Sequence, residues 1–324
     1  MKAAAEVTSW PQLKALSDPR RLRLLRLLMA QPATLSQLAA QTGHSPAWVR
    51  HHLLRLQRAG LVELDHVRTT GRVREKYYRA TAGALVLRRL VLPAGERPVA
   101  VFAGSHDLAL ERLAEQLQPH LDIVAYPVGS LDGLIDLRQR LCHFSGAHLL
   151  DESGAYNLPY IRRLFPDHAV QVVTLAHRVQ GLMVAPGNPK GVRSLTDLSR
   201  PDLRFVNRNG GSGTRIWLDA HLAALGIPRE AVRGYETTVA THTAAARAVA
   251  AGQADAALGL EAAARAAGLD FIPLFEERFD LVVPREETDT LHPLLDALQT
   301  ASWRRLLASL PGYHPAHTGE TLAL

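Results

Sequence analysis

Three short runs of the 324-residue chain gather Ser, Thr, Gly and His where a strand pattern gives way to a helix pattern. They are Phe102-Ala103-Gly104-Ser105-His106-Asp107, His143-Phe144-Ser145-Gly146-Ala147-His148 and Asn207-Arg208-Asn209-Gly210-Gly211-Ser212-Gly213-Thr214-Arg215. A loop entering a helix presents unpaired backbone N–H groups at the positive end of the helix dipole, and an anion can sit there. Glycine lets the backbone come close, and hydroxyls add donors. A fourth junction, Thr241-His242, opens an alanine-rich helix and follows Tyr235. The alternative for each run is a plain helix cap. Several at one sheet edge favour a ligand, because ligands collect at strand C-termini in α/β folds. His106, His148 and His242 can bind a metal, protonate to hold an oxyanion, or be hydrogen-bonded structural residues.

The glycine run lacks the Lys and the spacing of a phosphate-binding P-loop, and it does not open a leading βαβ unit. ATP and NAD are therefore poor candidates, and no cofactor is expected. Asp255 and Glu261 lie close in sequence to the fourth junction, and Asp255 reads first as structural. No Ser-His-Asp order, nucleophile elbow or H-E-x-x-H motif is visible, so the chain does not read as an enzyme. The one cysteine, Cys142, excludes an internal disulfide and leaves little scope for a thiolate metal site; it reads as a small buried hydrophobe.

A second kind of chemistry lies at the other end. Residues 1–96 hold 16 Lys and Arg against 6 Asp and Glu, whereas the remainder holds 21 against 25. A basic block confined to one small region is the electrostatic footprint of nucleic-acid binding. Ser17-Asp18-Pro19 starts a helix whose apolar face is Leu22, Leu24, Leu25, Leu27 and Leu28. Thr34–Thr42 forms a second helix, Gly43 breaks it, and Ser45-Pro46 starts a third with Val49, Leu53, Leu54 and Leu56 inward. Two helices around a tight turn form a helix-turn-helix. Strands over Leu61–His66 and Lys76–Ala80 then flank an arginine-rich hairpin, a wing able to reach phosphates. Candidate DNA contacts are Ser45, Trp48, Arg50, His51, Arg55 and Arg58 on the third helix, and Arg68, Arg72 and Arg74 on the wing. Core packing is equally open for Trp48. A metal site at His51 and His52 is not expected, because neighbours on a helix point apart.

A Pro- and Gly-containing stretch, Leu92–Pro98, separates this head from an α/β body. Strands are expected at 98–103, 122–127, 147–151, 170–176, 181–185, 204–207, 254–258, 270–273 and 279–283. Helices are expected at 106–117, 130–140, 194–198, 213–225, 241–251, 260–267 and 291–301.

LSDPRRLRLLRLL, LSQLAAQTGHSPAWVRHHLLRLQRAGLVE and a basic wing ending in EKYYRAT resemble the ArsR-type winged helix-turn-helix family. The resemblance covers residues 12 to about 81 and implies a homodimer on a palindromic double-stranded DNA operator. Many metal sensors of that family carry cysteines on the helix before the recognition helix, and Thr34–Thr42 has none. The signal must then come from elsewhere. The blocks from Ala147 to Tyr160, APGNPKGVRSLTDLSRPDLRFVNRNGGSGTRIWLD, GYETTVATHTAAARAVAAGQADAALGLEAAA and GLDFIPLFEERFDLVVP resemble the periplasmic-binding-protein-like domain often fused to helix-turn-helix modules. They are similar more distantly to molybdate- and tungstate-binding proteins.

This second resemblance implies an α/β two-lobed type II domain at 98–324 behind an α+β winged head at 1–92. Lobe one would be 98–178 plus 276–324, and lobe two 179–275. Ligand contacts would be Ser105, His106, Ser145, His148, Tyr156, Ser212, Gly213, Thr214, Thr241 and His242. The implied effector is a small anion such as molybdate or tungstate. The histidines depart from simple molybdate binders and leave a pterin-linked molybdenum species or an organic anion open.

The expected function is a ligand-responsive transcriptional regulator. The alternatives are a cytosolic oxyanion carrier with a vestigial head, and an enzyme using the cleft histidines. With 47% hydrophobic residues, no apolar run of membrane-spanning length and no signal-peptide core at the N-terminus, the expected location is the cytoplasm.

Overall fold

The computed structural model describes residues 2–71, 73–87, 90–167 and 169–324. Residues 1–89 and 90–324 form two compact units.

The first unit runs β1 (Ala5–Val7), α1 (Trp10–Leu16), α2 (Pro19–Ala30), α3 (Leu35–Thr42), α4 (Pro46–Arg58), β2 (Val62–Thr70), β3 (Val73–Ala80) and β4 (Leu85–Leu87). Local signals set its helices. Asp18 caps α2, Thr34 and Gln37 form a capping box on α3, and Ser45 caps α4. Gly43 ends α3 at φ 73°, a conformation an L side chain resists, and so makes the tight turn into α4. Leu24, Leu25, Leu28, Leu38, Val49, Leu53 and Leu56 close one core.

Leu22 and Leu54, expected inward, are exposed instead. Leu53 and Leu56 already occupy the buried stripe of α4, and a residue one step along is rotated by about 100°. The wing strands are longer than the apolar pattern suggested, since β2–β3 pairing continues through charged residues. The short parallel pair β1–β4 and helix α1 have no counterpart in the sequence expectations.

The second unit runs β5 (Val99–Gly104), α5 (Leu108–Leu117), β6 (Asp122–Pro127), α6 (Ser130–Arg138), β7 (Phe144–Ala147), α7 (Leu158–Leu164), β8 (Val170–Val184), β9 (Phe205–Arg208), α8 (Gly213–Ala224), β10 (Thr238–Val239), α9 (His242–Ala250), β11 (Ala256–Leu260), α10 (Glu261–Ala266), β12 (Asp270–Pro284), α11 (Thr288–Gln299), α12 (Ala301–Ser309), β13 (Tyr313–His314) and β14 (Thr321–Leu322). One curled sheet carries the order β10-β9-β11-β8-β12-β7-β5-β6, with β13 and β14 also on β8.

Strands expected as four short pieces at 170–176, 181–185, 270–273 and 279–283 are two unbroken strands of 15 residues each, β8 and β12. They pair antiparallel along their length and cross from one lobe to the other. The polar segment His177-Arg178-Val179-Gln180 looks like a strand break in sequence. It is the part of β8 that passes the cleft. Register shifts at Pro273/Phe275 and Phe279/Asp280 bend β12 there.

The strand expected at 147–151 lies earlier, at β7, and the helix at 194–198 is a 3-10 turn over Leu195–Ser199. Helices α7 and α12 were not anticipated.

Candidate functional site

In the winged unit, the Ser45 hydroxyl accepts from the Trp48 backbone N–H at 3.2 Å, so its oxygen serves the cap of α4. Trp48 is half-buried and stacks on His44 at 3.8 Å, which favours its packing role. Arg50, His51, Arg55 and Arg58 are exposed, whereas His52 is buried, so the two adjacent histidines do face apart. Arg55 and Arg58 fall in the last turn of α4, where the helix dipole favours cations. Arg68 and Arg74 are exposed on the paired wing strands. Arg72 lies outside the described residues.

In the second unit the loops that the sequence singled out converge. After β5, His106 faces the start of α9, where the His242 N–H donates to His106 Nδ1 at 3.3 Å, and the Ser105 hydroxyl pairs with that of Ser130 at 3.0 Å. His106 Nε2 meets Glu111 at 2.9 Å, which makes Nδ1 the accepting nitrogen. His148, just past β7, lies at 3.0 Å from Ser105 Oγ through Nε2 and at 2.7 Å from Glu277 through Nδ1. Gly213 opens α8 against it. A Cβ at Gly213 would fall 2.5 Å from the His148 carbonyl oxygen, so only glycine fits. Asn209 donates to the Val128 carbonyl at 2.6 Å, and the Leu131 N–H to Gly211 at 3.2 Å. The lobes thus meet face to face, and the cleft between them is closed.

Behind these loops lies a charged layer that sequence reasoning missed. Arg178, on β8, donates to Asp107 at 2.5 Å and to Glu277 at 2.7 Å, with all three side chains buried. Gln180 donates to Glu277 at 2.6 Å and accepts from Thr214 at 3.0 Å; Tyr313 donates to Asp107 at 2.6 Å. Burial alone would raise the Glu277 carboxyl, but His148 and Arg178 outweigh it and hold it at about 2. Arg178 is correspondingly raised against its own burial by Glu277 and Asp107.

Arg208, at the end of β9, is different. It is 1% exposed, donates one bond to the Ala240 carbonyl at 2.8 Å, and has no carboxylate partner among the described residues. Its Nε and Nη1, together with Arg178 Nη2 and both ring nitrogens of His242, are buried with no hydrogen-bond partner among the described residues. Burial, followed by the like charge of Arg178, pushes Arg208 down to about 9. Burial first, then Arg208 and Arg178, hold His242 well below the ordinary histidine range. A buried guanidinium left this way is costly unless an anion meets it.

The remaining expected contacts divide. Ser212 and Thr241 cap α8 and α9, accepting from Arg215 and Ala244 N–H groups. Tyr156 reaches the Glu276 carbonyl at 3.4 Å from a half-buried position, and burial and the Glu277 charge raise its hydroxyl. The Ser145 hydroxyl is buried on β7 with no partner among the described residues. Asp255 is structural, binding Arg204 at 2.8 Å through its backbone N–H and at 3.1 Å through the guanidinium. Cys142 is buried, which pushes its thiol up to about 12.

Among the described residues no group of three or more His, Cys, Asp or Glu side chains is placed to hold a metal ion. None of their helices is long and apolar enough to cross a membrane. A faint sequence signal for the missed layer exists: Arg178 is the lone formal charge within VVTLAHRVQGLMV, and Arg208 stands two residues before Gly210.

Residues 110–299 match the PBP superfamily domain, and residues 18–63 match the bacterial regulatory protein, arsR family. The uncharacterized protein YvgK of Bacillus subtilis (strain 168) is 36% identical over 230 residues, which is 70% of this chain and 74% of that protein. An uncharacterized protein in the ferredoxin 2Fe-2S gene 5' region of Clostridium pasteurianum is 35% identical over 108 residues, covering 32% of this chain and 96% of that one. Among solved structures, the sulfate-binding protein SubI of Mycobacterium tuberculosis H37Rv aligns with TM-score 0.49 at 14% identity, over 68% of this chain and 88% of that one. An ABC-type phosphate transport receptor from Vibrio cholerae aligns with TM-score 0.43 at 17% identity, over 66% and 98%. Nothing about this chain's ligand follows from those two. The chain belongs to the PBP superfamily domain family, through its α/β body, with an arsR-family match at residues 18–63 in the winged unit before it.

Proposed function

We propose that this chain is a cytoplasmic, homodimeric DNA-binding regulator whose cleft takes a small anion, and that occupancy changes its affinity for a double-stranded operator. The working boundaries are 1–92 for the head and 98–324 for the sensor, with lobe one at 98–178 plus 276–324 and lobe two at 179–275. The observation that carries the reading is Arg208, a buried guanidinium whose Nε and Nη1 have no partner among the described residues. Arg178 Nη2 and the His242 ring supply further donors beside it, and His106, His148, Gly213 and Thr214 close the wall. A ligand acts on DNA binding only through its different affinity for the two states of the protein, so coupling must run both ways.

The test combines calorimetry with sulfate, phosphate, molybdate and tungstate and an operator gel shift on DNA from upstream of the chain's own gene. Binding of at least one oxyanion, lost in Arg208→Met and accompanied by a shift in operator affinity, is the expected result. Operator affinity indifferent to every ligand that binds would sink the regulatory half. Full operator affinity in an Arg50→Ala, Arg55→Ala variant would favour a carrier with a vestigial head.

A second reading has one specific observation behind it. Ser105, His148 and Glu277 stand in a serine–histidine–acid relay at 3.0 and 2.7 Å, although no such order was apparent from the sequence. Such a relay can carry acyl transfer. Covalent labelling of Ser105 by a fluorophosphonate, lost in His148→Gln, would favour it. Absence of labelling leaves the relay as a device that fixes the His148 ring.

A further inference from the structure

We propose that the cleft takes a doubly charged tetrahedral oxyanion together with one proton, and that His242 carries that proton. The inference rests on the reading that the cleft holds an anion. It starts from the charges facing the site. Asp107 and Glu277 are both bound by Arg178, one positive charge shared by two carboxylates. Asp280 is held apart from it by Arg278, Asn157 and Thr174. Of the two buried guanidiniums at the site, Arg208 is the one without a carboxylate partner among the described residues. Arg178 and Arg208 together only balance Asp107 and Glu277, so the added charge of a dianion would stay buried and uncompensated without a proton.

Three histidines face the site from three elements, and two already have both nitrogens engaged. His106, from the β5–α5 loop, binds Glu111 and accepts from the His242 N–H. His148, past β7, binds Glu277 and Ser105. His242, at the first turn of α9, has neither nitrogen partnered among the described residues. The charged groups facing it are Arg208 from β9 and Arg178 from β8, with His106 and His148 beside them. Glu277 of β12 lies behind His148 and Arg178. Burial first, and then the positive charges of Arg208 and Arg178, keep the His242 ring neutral. A dianion at Arg208 reverses the sign of the local field. The imidazolium then offers two N–H donors to its oxygens. A singly charged ligand such as nitrate needs no such proton.

The full-length protein is titrated with sulfate and with molybdate, neither of which takes up a proton near neutral pH. Calorimetry is run in two buffers of different ionisation enthalpy between pH 7 and 8.5. The expected result is uptake of about one proton per bound anion, with affinity falling about tenfold per pH unit. His242→Gln abolishes the uptake and flattens the pH profile, whereas His106→Gln retains both. Binding with the same heat in both buffers overturns this inference and leaves the anion reading standing, as does uptake that survives in His242→Gln. Failure of both anions to bind overturns the anion reading itself. The two-buffer measurement on the unaltered chain decides even where a variant does not fold.

Discussion

The winged unit and the sensor unit both rely on arginine, in opposite surroundings. Arg50, Arg55, Arg58, Arg68 and Arg74 stand in solvent, where a charge costs little to hold and acts over roughly a Debye length. Arg178 and Arg208 are 0% and 1% exposed, where each must be matched or becomes a liability. On the proposed function, the same residue type would steer DNA from one unit and create demand for a ligand in the other. The first role is diffuse and salt-dependent. The second is local, and within it Arg178 and Arg208 differ again, because Arg178 has carboxylates and Arg208 has none.

That contrast can be broken most forcefully at Glu277. Glu277→Ala leaves Arg178, His148 and Gln180 facing an empty position, and the expected loss is about 3–5 kcal/mol of stability by chemical denaturation. The same group sets an acid limit. Its folded pKa of about 2 lies below the ordinary 4.5, so its contribution is complete above about pH 4.5 and is lost as pH falls towards 2. The span corresponds to about 3 kcal/mol. An acid titration of stability that is unchanged by Glu277→Gln would contradict this.

Arg208→Met should move the two observables in opposite directions. Removing an unmatched buried charge is expected to raise ligand-free stability by about 1–4 kcal/mol. Oxyanion affinity should drop by roughly a hundredfold or more, as for the loss of one side of a buried charge pair. A variant that loses both stability and binding would mean that Arg208 is a structural partner.

Gly213→Ala tests closure. Its Cβ would meet the His148 carbonyl at 2.5 Å, so the lobes must separate slightly. Ligand affinity should fall by roughly tenfold, in line with an overpacking cost of about 1–3 kcal/mol, while the winged unit keeps its operator affinity. On the exposed side, Arg50→Ala should lower operator affinity modestly and reduce the slope of log affinity against log salt by about one if Arg50 meets a phosphate. An unchanged slope with a strong loss at one base pair would make it a base reader. The smallest effect is expected for Ser145→Ala. Removing a buried hydroxyl that has no partner among the described residues should be neutral, or stabilising by up to about 1 kcal/mol in thermal unfolding.

The winged head was legible because its determinants are local. Asp18, Thr34 and Ser45 cap helices a few residues away, and Gly43 must adopt a positive φ wherever the turn goes. The loops of the sensor were legible for the same reason. Glycine and hydroxyl residues at a strand–helix junction announce a helix start, and these starts bring His106, Gly213, Thr214 and His242 together with His148 from the end of β7. The same local rules explain Ser212 and Thr241, whose hydroxyls accept from cap N–H groups, while Tyr156 reaches a carbonyl at 3.4 Å.

What the chain determined by itself was therefore its kind: a basic helix-turn-helix with a wing, then an α/β body with anion-ready helix starts. Only the tertiary structure decided which buried charges are matched. Arg178 meets Asp107 across 71 residues and Glu277 across 99, and no local pattern encodes a pairing at that separation. Arg208 looks like any other loop-edge arginine in sequence. Its burial in the closed cleft beside Arg178, without a carboxylate among the described residues, is a property of the folded domain alone. Charge in a low-dielectric interior is governed by the groups that surround it in space, and the order of the chain does not specify those groups.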